Sequence, residues 1–307
     1  MKISFTSLHF TRKKKSIHEK KKSLQQLRTK LPRHLNIKPS IQVHLESLSL
    51  EELLKPSRLE SKRAKVTGTI PATLASLTQL RTLHLGDNDF SSSIPMELAN
   101  LVNLRVLNVS HNRLTGSIPS SFSNLQYLDV LIMSNNQITG TFPNLDLRYL
   151  NILALDSNRM AGVLPPSICA HNMMPSLEEL YLSDNYFNRT IERLTFAECD
   201  MLRVLHLQRN NFVGSVPYFG EMYTIEYLYL HENMFTQIPE NTFGDCTSLK
   251  IVNLANQKYR ENKAKITLRE YAFSNMPKST YQLSDYSSTR TTVHTHTSNN
   301  TQHQALA

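Results

Sequence analysis

The chain of 307 residues has no tryptophan, three cysteines and only eight glycines. No apolar run approaches the ~18 residues that a membrane-spanning helix needs, so no transmembrane segment is expected. Met1–Phe10 holds apolar residues but no sustained hydrophobic stretch, and Arg12, Lys13, Lys14 and Lys15 follow it. A secretory leader carries its basic segment first and its apolar segment second. The reversed order predicts an intracellular protein, cytoplasmic or nuclear. The alternative is an extracellular or cell-surface protein whose N-terminus is incomplete. Three cysteines, Cys169, Cys199 and Cys246, are an odd number without a local pair, so no disulfide framework is expected. They are read as small buried core residues. The chain also lacks a nucleophile paired with a base, an H-E-x-x-H helix, a phosphate-binding glycine loop and zinc-ligand spacings. That predicts no catalytic residue, no metal and no cofactor.

What is present is unevenly charged. Residues 1–65 carry 17 Lys/Arg against 5 Asp/Glu, a net +12. Residues 66–257 carry 10 against 17, a net −7, and residues 258–307 carry 7 against 3, a net +4. The high overall isoelectric point therefore describes the two ends and not the middle.

The middle is periodic. Leu80, Leu83, Leu85 and Asn88 fit L-x-x-L-x-L-x-x-N, and the same phase returns at Asn112, Asn136, Asn158, Asn185, Asn210 and Asn233. The steps between these asparagines are 24, 24, 22, 27, 25 and 23 residues, which is the signature of stacked structural repeats. An eighth copy, Leu249, Val252 and Leu254, has Gln257 where asparagine is due and Asn256 one place early, so the array is expected to fray there. Leu268-Arg-Glu-Tyr-Ala-Phe273 echoes Ile238-Pro-Glu-Asn-Thr-Phe243 as a half copy. In x-L-x-L-x the leucines point to one side and the residues between them to the other. One repeat cannot bury its own leucines, whereas stacked repeats share one core. The asparagine carries both an acceptor and donors, which suits it to the backbone groups of the turn after the strand.

A second pattern follows each asparagine. Leu114-Thr-Gly-Ser-Ile-Pro119, Ile138-Thr-Gly-Thr-Phe-Pro143, Met160-Ala-Gly-Val-Leu-Pro165 and Phe212-Val-Gly-Ser-Val-Pro217 are its clear copies. Gly68, Gly116, Gly140, Gly162 and Gly214 all fall at one place in it, which implies a backbone turn that disfavours a Cβ. Asn185-Tyr-Phe-Asn-Arg-Thr-Ile191 lacks that glycine, and Met234–Phe243 follows a different convex pattern with Phe243 expected to pack inward. The L-x-G-x-I-P signature, over about residues 66–257, resembles the plant-type leucine-rich repeats of receptor-like kinases, receptor-like proteins and polygalacturonase-inhibiting proteins. The resemblance implies an α/β fold: a right-handed solenoid with a concave parallel β-sheet and a mostly non-helical or short-helical convex side. It also implies non-enzymatic recognition of a protein, peptide or small hormone, in signalling or defence. The leader and capping cysteine pairs usual in that family are not visible in this sequence.

The domain division expected is a basic arm over 1–40, a degenerate repeat or cap over 41–65, the solenoid over 66–276, and a Ser/Thr/His-rich tail over 277–307. Leu45, Leu48 and Leu50 fit the strand pattern within the cap segment, while Val66-Thr-Gly-Thr-Ile-Pro71 is the second half of a copy whose first half is degraded. The run 12–22 leaves open a nuclear import signal, an anionic membrane surface, nucleic acid, or a solvated arm with no partner. Within the repeats two tripeptides, Asn108-Val-Ser110 and Asn188-Arg-Thr190, fit the acceptor pattern for N-glycosylation and are compatible with the extracellular alternative.

The outward strand positions form columns. Tyr181, His206, Tyr227, Tyr229 and His231 crowd the later repeats, with Arg209 and Glu232 beside them, and aromatic and arginine side chains are enriched at binding hot spots. Val106, Val130, Ile132, Ile152 and Ala154 make the earlier face apolar. Both stretches are the candidate partner-binding surface. Strand preference for β-branched and aromatic residues is the competing explanation.

Overall fold

The computed structural model describes residues 58–60, 65–257 and 267–268. The arm, Leu45–Leu50 and the tail lie outside them. Each turn of the chain contributes one three-residue strand to a nine-stranded parallel sheet whose strands follow chain order, from Arg58–Glu60 to Ile251–Asn253. The register places Leu83 on Leu107 and carries on through Leu131, Leu153, Leu180, Leu205 and Leu228 to Val252. All of these are fully buried. The sheet lines the concave side of a leucine-rich-repeat solenoid. The degraded first half of the earliest copy is now visible: Arg58–Glu60 pairs with Thr82–His84, setting Leu59 on Leu83.

The strand ends for a backbone reason. Asp87, His111, Asn135, Ser157, Asp184, Arg209, Glu232 and Asn256 all hold φ between 52° and 57°. This left-handed residue breaks the strand, and the carboxamide that follows it satisfies the groups the turn exposes. Asn136 is typical. Its Nδ2 donates to the carbonyls of Met133 and Ser134 in its own turn and of Val109 in the turn before, at 3.1, 3.3 and 3.0 Å. Its Oδ1 accepts from the Leu114 amide at 2.9 Å. The asparagines thus stitch each turn to the one before it.

The expected fraying at Gln257 is not what the structure shows. Gln257 Nε2 donates to the carbonyls of Leu254, Ala255 and Leu230, and its Oε1 accepts from the Phe235 amide at 3.0 Å. Asn256 has not slipped out of the ladder; it occupies the left-handed position before it. The longer amide reaches the same four groups, so the eighth turn is closed like the others.

Beyond the ladder the chain runs into smaller parallel sheets. One joins Thr67–Thr69, Asp89–Ser93 and Arg113–Thr115, and another joins Ala161–Gly162, Tyr186–Arg189, Asn211–Ser215, Met234–Ile238 and Thr267–Leu268. Leu268 pairs with Ile238, as the half copy suggested. The pattern glycines adopt φ between 74° and 96° here. A Cβ on Gly214 would lie 2.6 Å from Thr190 Cγ2, so conformation and close approach both favour glycine. Ser92 and Arg189 take the equivalent place with φ of 71° and 75°, at a cost of about 1–2 kcal/mol each. Pro71, Pro95 and Pro119 then start short 3-10 helices, Ala72–Ser76, Met96–Asn100 and Ser120–Asn124, on the convex side. In later turns two files of stacked rings fill the core: Phe187, Phe212 and Phe235, and Phe196, Phe219 and Phe243. Phe243 packs inward as expected.

The cysteine reading needs correction. Cys169 and Cys199 are joined in a disulfide across 30 residues, between neighbouring turns. The pairing is hidden in the sequence because Cys199 shares its repeat position with Cys246, not with Cys169. Cys169 belongs to the longest step, between Asn158 and Asn185, whose extra residues displace it from any common register. Cys246 is buried as expected; it donates to the Phe219 carbonyl at 2.9 Å, and burial pushes its thiol up to about 12.

The ladder makes a quantitative expectation. Asn158→Ala strands a buried amide and several carbonyls, each lost group costing about 1–3 kcal/mol. Urea unfolding should show a loss of roughly 3–5 kcal/mol; a variant within 1 kcal/mol of the parent by that measurement contradicts the ladder's structural role.

Candidate docking surface

The outward face of the nine-stranded sheet is where the candidate residues meet. Strand register aligns His84, Asn108, Ile132, Ala154, Tyr181, His206, Tyr229 and Asn253 in one column. The neighbouring column runs Thr82, Val106, Val130, Ile152, Glu179, Val204, Tyr227 and Ile251. Parallel strands lie ~4.8 Å apart, so successive side chains in a column touch.

In the later turns that contact is aromatic. His206 stands edge-to-face between Tyr181 and Tyr229, with ring centroids 4.8 and 4.5 Å away. His231 extends the row, 6.2 Å from Tyr229. Four of the candidate residues therefore form one continuous, half-exposed surface. Edge-to-face pairs hold each other in fixed orientations, so the side chains of this surface order one another.

Tyr227 stands apart in the next column, where the Lys250 ammonium lies 5.5 Å from its ring centroid. Lys250 and Arg203 both pair with Glu226, on the strand-entry side of the face. Arg209 is not over the aromatic row. It sits in the left-handed position at the strand exit, where its guanidinium pairs with Glu232 at 3.2 Å and with Asp184 at 3.6 Å. It borders the surface and does not line it.

The earlier stretch is as apolar as expected, with Val106, Val130 and Ile152 in one column and Ile132 beside them, all half-buried. Ala154 is a correction: it was expected to present apolar surface, but only 7% of it is accessible. Its methyl group is overtopped by Ile132 and Tyr181 in the same column. The small residue leaves a dip between the apolar stretch and the aromatic row.

Two carboxylates that the aromatic pattern did not single out shape the electrostatics. Tyr181 donates to Glu179 Oε2 at 2.7 Å, and Ser134 donates to Asp156 Oδ1 at 2.6 Å. Burial and then the Glu179 hydrogen bond raise the Tyr181 phenol well above its ordinary value, so it stays a neutral donor. Burial lowers His206 below its ordinary value, with Asp156 and Glu179 pulling back up and His231 pushing down. Burial also lowers His231, against the upward pull of Glu232 and Asp184. The signal for both carboxylates was their place in the outward columns; their hydrogen-bond partners belong to the fold. Among the described residues no group of three His, Cys, Asp or Glu side chains could hold a metal ion. No helix among them is long and apolar enough to cross a membrane.

Comparison with known proteins follows the same lines. Family models described as "Leucine rich repeat", "Leucine Rich repeats (2 copies)" and "Leucine Rich Repeat" match residues 148–212, 102–146 and 79–101. No curated protein matches the sequence significantly. Among solved structures, the PEPR1–AtPEP1 complex superposes with a TM-score of 0.60 at 24% identity, covering 78% of this chain and 38% of that one. At that identity the likeness shows the fold. The plant peptide hormone receptor RGFR1 in complex with RGF2 gives a TM-score of 0.53 at 28% identity, covering 65% and 35%. A TDR receptor gives 0.52 at 28% identity, covering 62% and 37%. The chain thus spans little more than a third of the length of these structures.

The histidines give a pH expectation. Folding favours their neutral forms, so their contribution is complete above the unfolded value of about 6.5 and is lost as pH falls through the lowered folded values. Thermal stability should therefore fall between about pH 6.5 and 5, and His206→Gln should fall less than the parent over that window. Parallel curves for the two proteins would show that His206 does not contribute.

Proposed function

We propose that this chain, whose turns match leucine-rich-repeat family models and whose fold is similar to plant receptor structures, recognises a peptide or protein on the concave face of its sheet. The observation that carries this reading is the Tyr181–His206–Tyr229 row, fixed edge-to-face and half-exposed on a rigid sheet. Rigid aromatic side chains supply contact area at low entropic cost when a partner binds. The apolar stretch Val106, Val130, Ile132 and Ile152 continues the surface toward the earlier turns, so an extended ligand laid across successive strands meets apolar side chains first and aromatic ones second. Tyr227 and His231 widen the second part, and Arg209 borders it. The similarity to a peptide hormone receptor solved with its ligand supports a peptide as partner. Recognition without catalysis, serving signalling or defence, is the role this reading assigns.

The disulfide bears on the compartment. Cys169–Cys199 is a bond of the kind that persists in oxidising surroundings and is rare in the cytosol. Closing a loop of this size is worth about 3–4 kcal/mol. Together with the receptor relatives, this supports the extracellular or cell-surface alternative over the intracellular expectation. A nuclear, nucleic-acid or membrane-surface role through residues 12–22 lies outside the described residues and gains no support from them.

Two measurements bear on this reading. A random peptide display library panned on the full chain should yield binders whose affinity falls at least about tenfold for the Tyr181→Ala, Tyr227→Ala, Tyr229→Ala triple variant, the scale of losing a hot-spot side chain. Unchanged affinity for a triple variant that melts cooperatively removes the face from consideration. For the compartment, alkylation without reduction on protein from its native source should leave Cys169 and Cys199 unlabelled. Full labelling of both returns the protein to a reducing compartment.

A further inference from the structure

One sequence motif is not absorbed by the recognition face. Asn188-Arg189-Thr190 lies on the strand Tyr186–Arg189 of the five-stranded lateral sheet, away from the concave columns. Phe187, between Tyr186 and Asn188, is fully buried and stacked on Phe212 with centroids 6.2 Å apart. That anchor fixes which way the strand faces. Alternation then turns Tyr186 and Asn188 to the same outer side, ~7 Å apart along the strand. Both are exposed, Tyr186 to 56%, and Thr190 is exposed after them. Among the described residues the Asn188 side chain makes no hydrogen bond, while its backbone is held in register with Asn211.

The other acceptor tripeptide in the solenoid contrasts with it. Asn108 stands in the central concave column, and its Oδ1 accepts from the Ser110 amide at 2.9 Å and the Ser110 hydroxyl at 2.7 Å. Ser110 is buried. A glycan there would stand in the middle of the recognition face. A third tripeptide, Asn299-Asn300-Thr301, lies outside the described residues.

We infer that Asn188 is an N-glycosylation site and that its first sugar packs on the exposed ring of Tyr186, two residues before it on the same face. The inference rests on the extracellular reading above, because the donor belongs to the secretory route. The co-reactant is an oligosaccharide linked through its C1 to a lipid diphosphate. A bond forms between that C1 and Asn188 Nδ2, the C1–O bond to the diphosphate breaks, the lipid diphosphate leaves with the electron pair, and Nδ2 loses one proton. No redox change occurs. Transfer is made on the extending chain, so the fold decides where the product is carried without harm. At Asn188 it leaves both the core and the concave face untouched. It also covers an aromatic ring that no neighbouring turn covers.

The test is the full chain expressed behind a secretion leader, with glycopeptide mass spectrometry and non-reducing mapping of Cys169–Cys199 on the same sample. Glycan on the Asn188 peptide, absent in Asn188→Gln and in Thr190→Ala, is the expected result. A secreted, disulfide-bonded protein with a bare Asn188 peptide overturns the inference and leaves the compartment reading standing. A retained chain with reduced Cys169 and Cys199 overturns both. The role of Tyr186 has its own readout: enzymatic removal of the glycan should lower Tm by about 2 °C in the parent and leave Tyr186→Ala unchanged. Equal shifts in the two proteins overturn the packing of sugar on ring.

Discussion

The buried carboxamide after each concave strand carries the architecture. A strand of three residues is too short to stand alone, and three positions after its end a left-handed residue turns the chain and exposes backbone groups to the interior. One side chain per turn satisfies those groups and at the same time ties its turn to the one before. Asn136 shows the full set of four partners. Because buried polar groups without partners are expensive, this ladder fixes both where the strand stops and how the next turn stacks. The leucine core depends on that stacking, since no turn can bury its apolar face by itself.

Regular stacking in turn makes the outward side chains into columns. His206 meets Tyr181 and Tyr229 because three strands from separate turns hold the same register. The rings lie at 4.8 and 4.5 Å for that reason alone. Their packing buries the imidazole enough to keep it neutral, and the Tyr181 hydroxyl is held on Glu179. The concave face is thus a preorganised surface of apolar and aromatic groups with fixed donors and acceptors. The lateral sheet is a second product of the same stacking. It displays Tyr186 and Asn188 on the opposite side of the ladder from the concave columns.

Much of this was legible in the residues. The asparagine phase, the leucine positions and the glycine turn each reflect a local backbone need repeated at a near-constant step, and such needs leave a mark at every copy. The outward columns followed by alternation. What escaped was whatever depends on exceptions to the period. Gln257 looked like a fault because glutamine differs from asparagine in length, yet one more methylene still reaches Leu230, Leu254 and Ala255. Cys169 looked unpaired because its turn carries extra residues. Ala154 counted as surface until its taller neighbours on either side were in place.

The sequence by itself determined the repeat, the shared core and the side of each strand that faces outward, because all three follow from local periodicity. Only the tertiary structure decided which side chains from different turns touch: the bond between Cys169 and Cys199, the row of Tyr181, His206 and Tyr229, and the exposure of Tyr186 beside Asn188. Those depend on how far one turn is displaced against the next, a distance that no single repeat encodes.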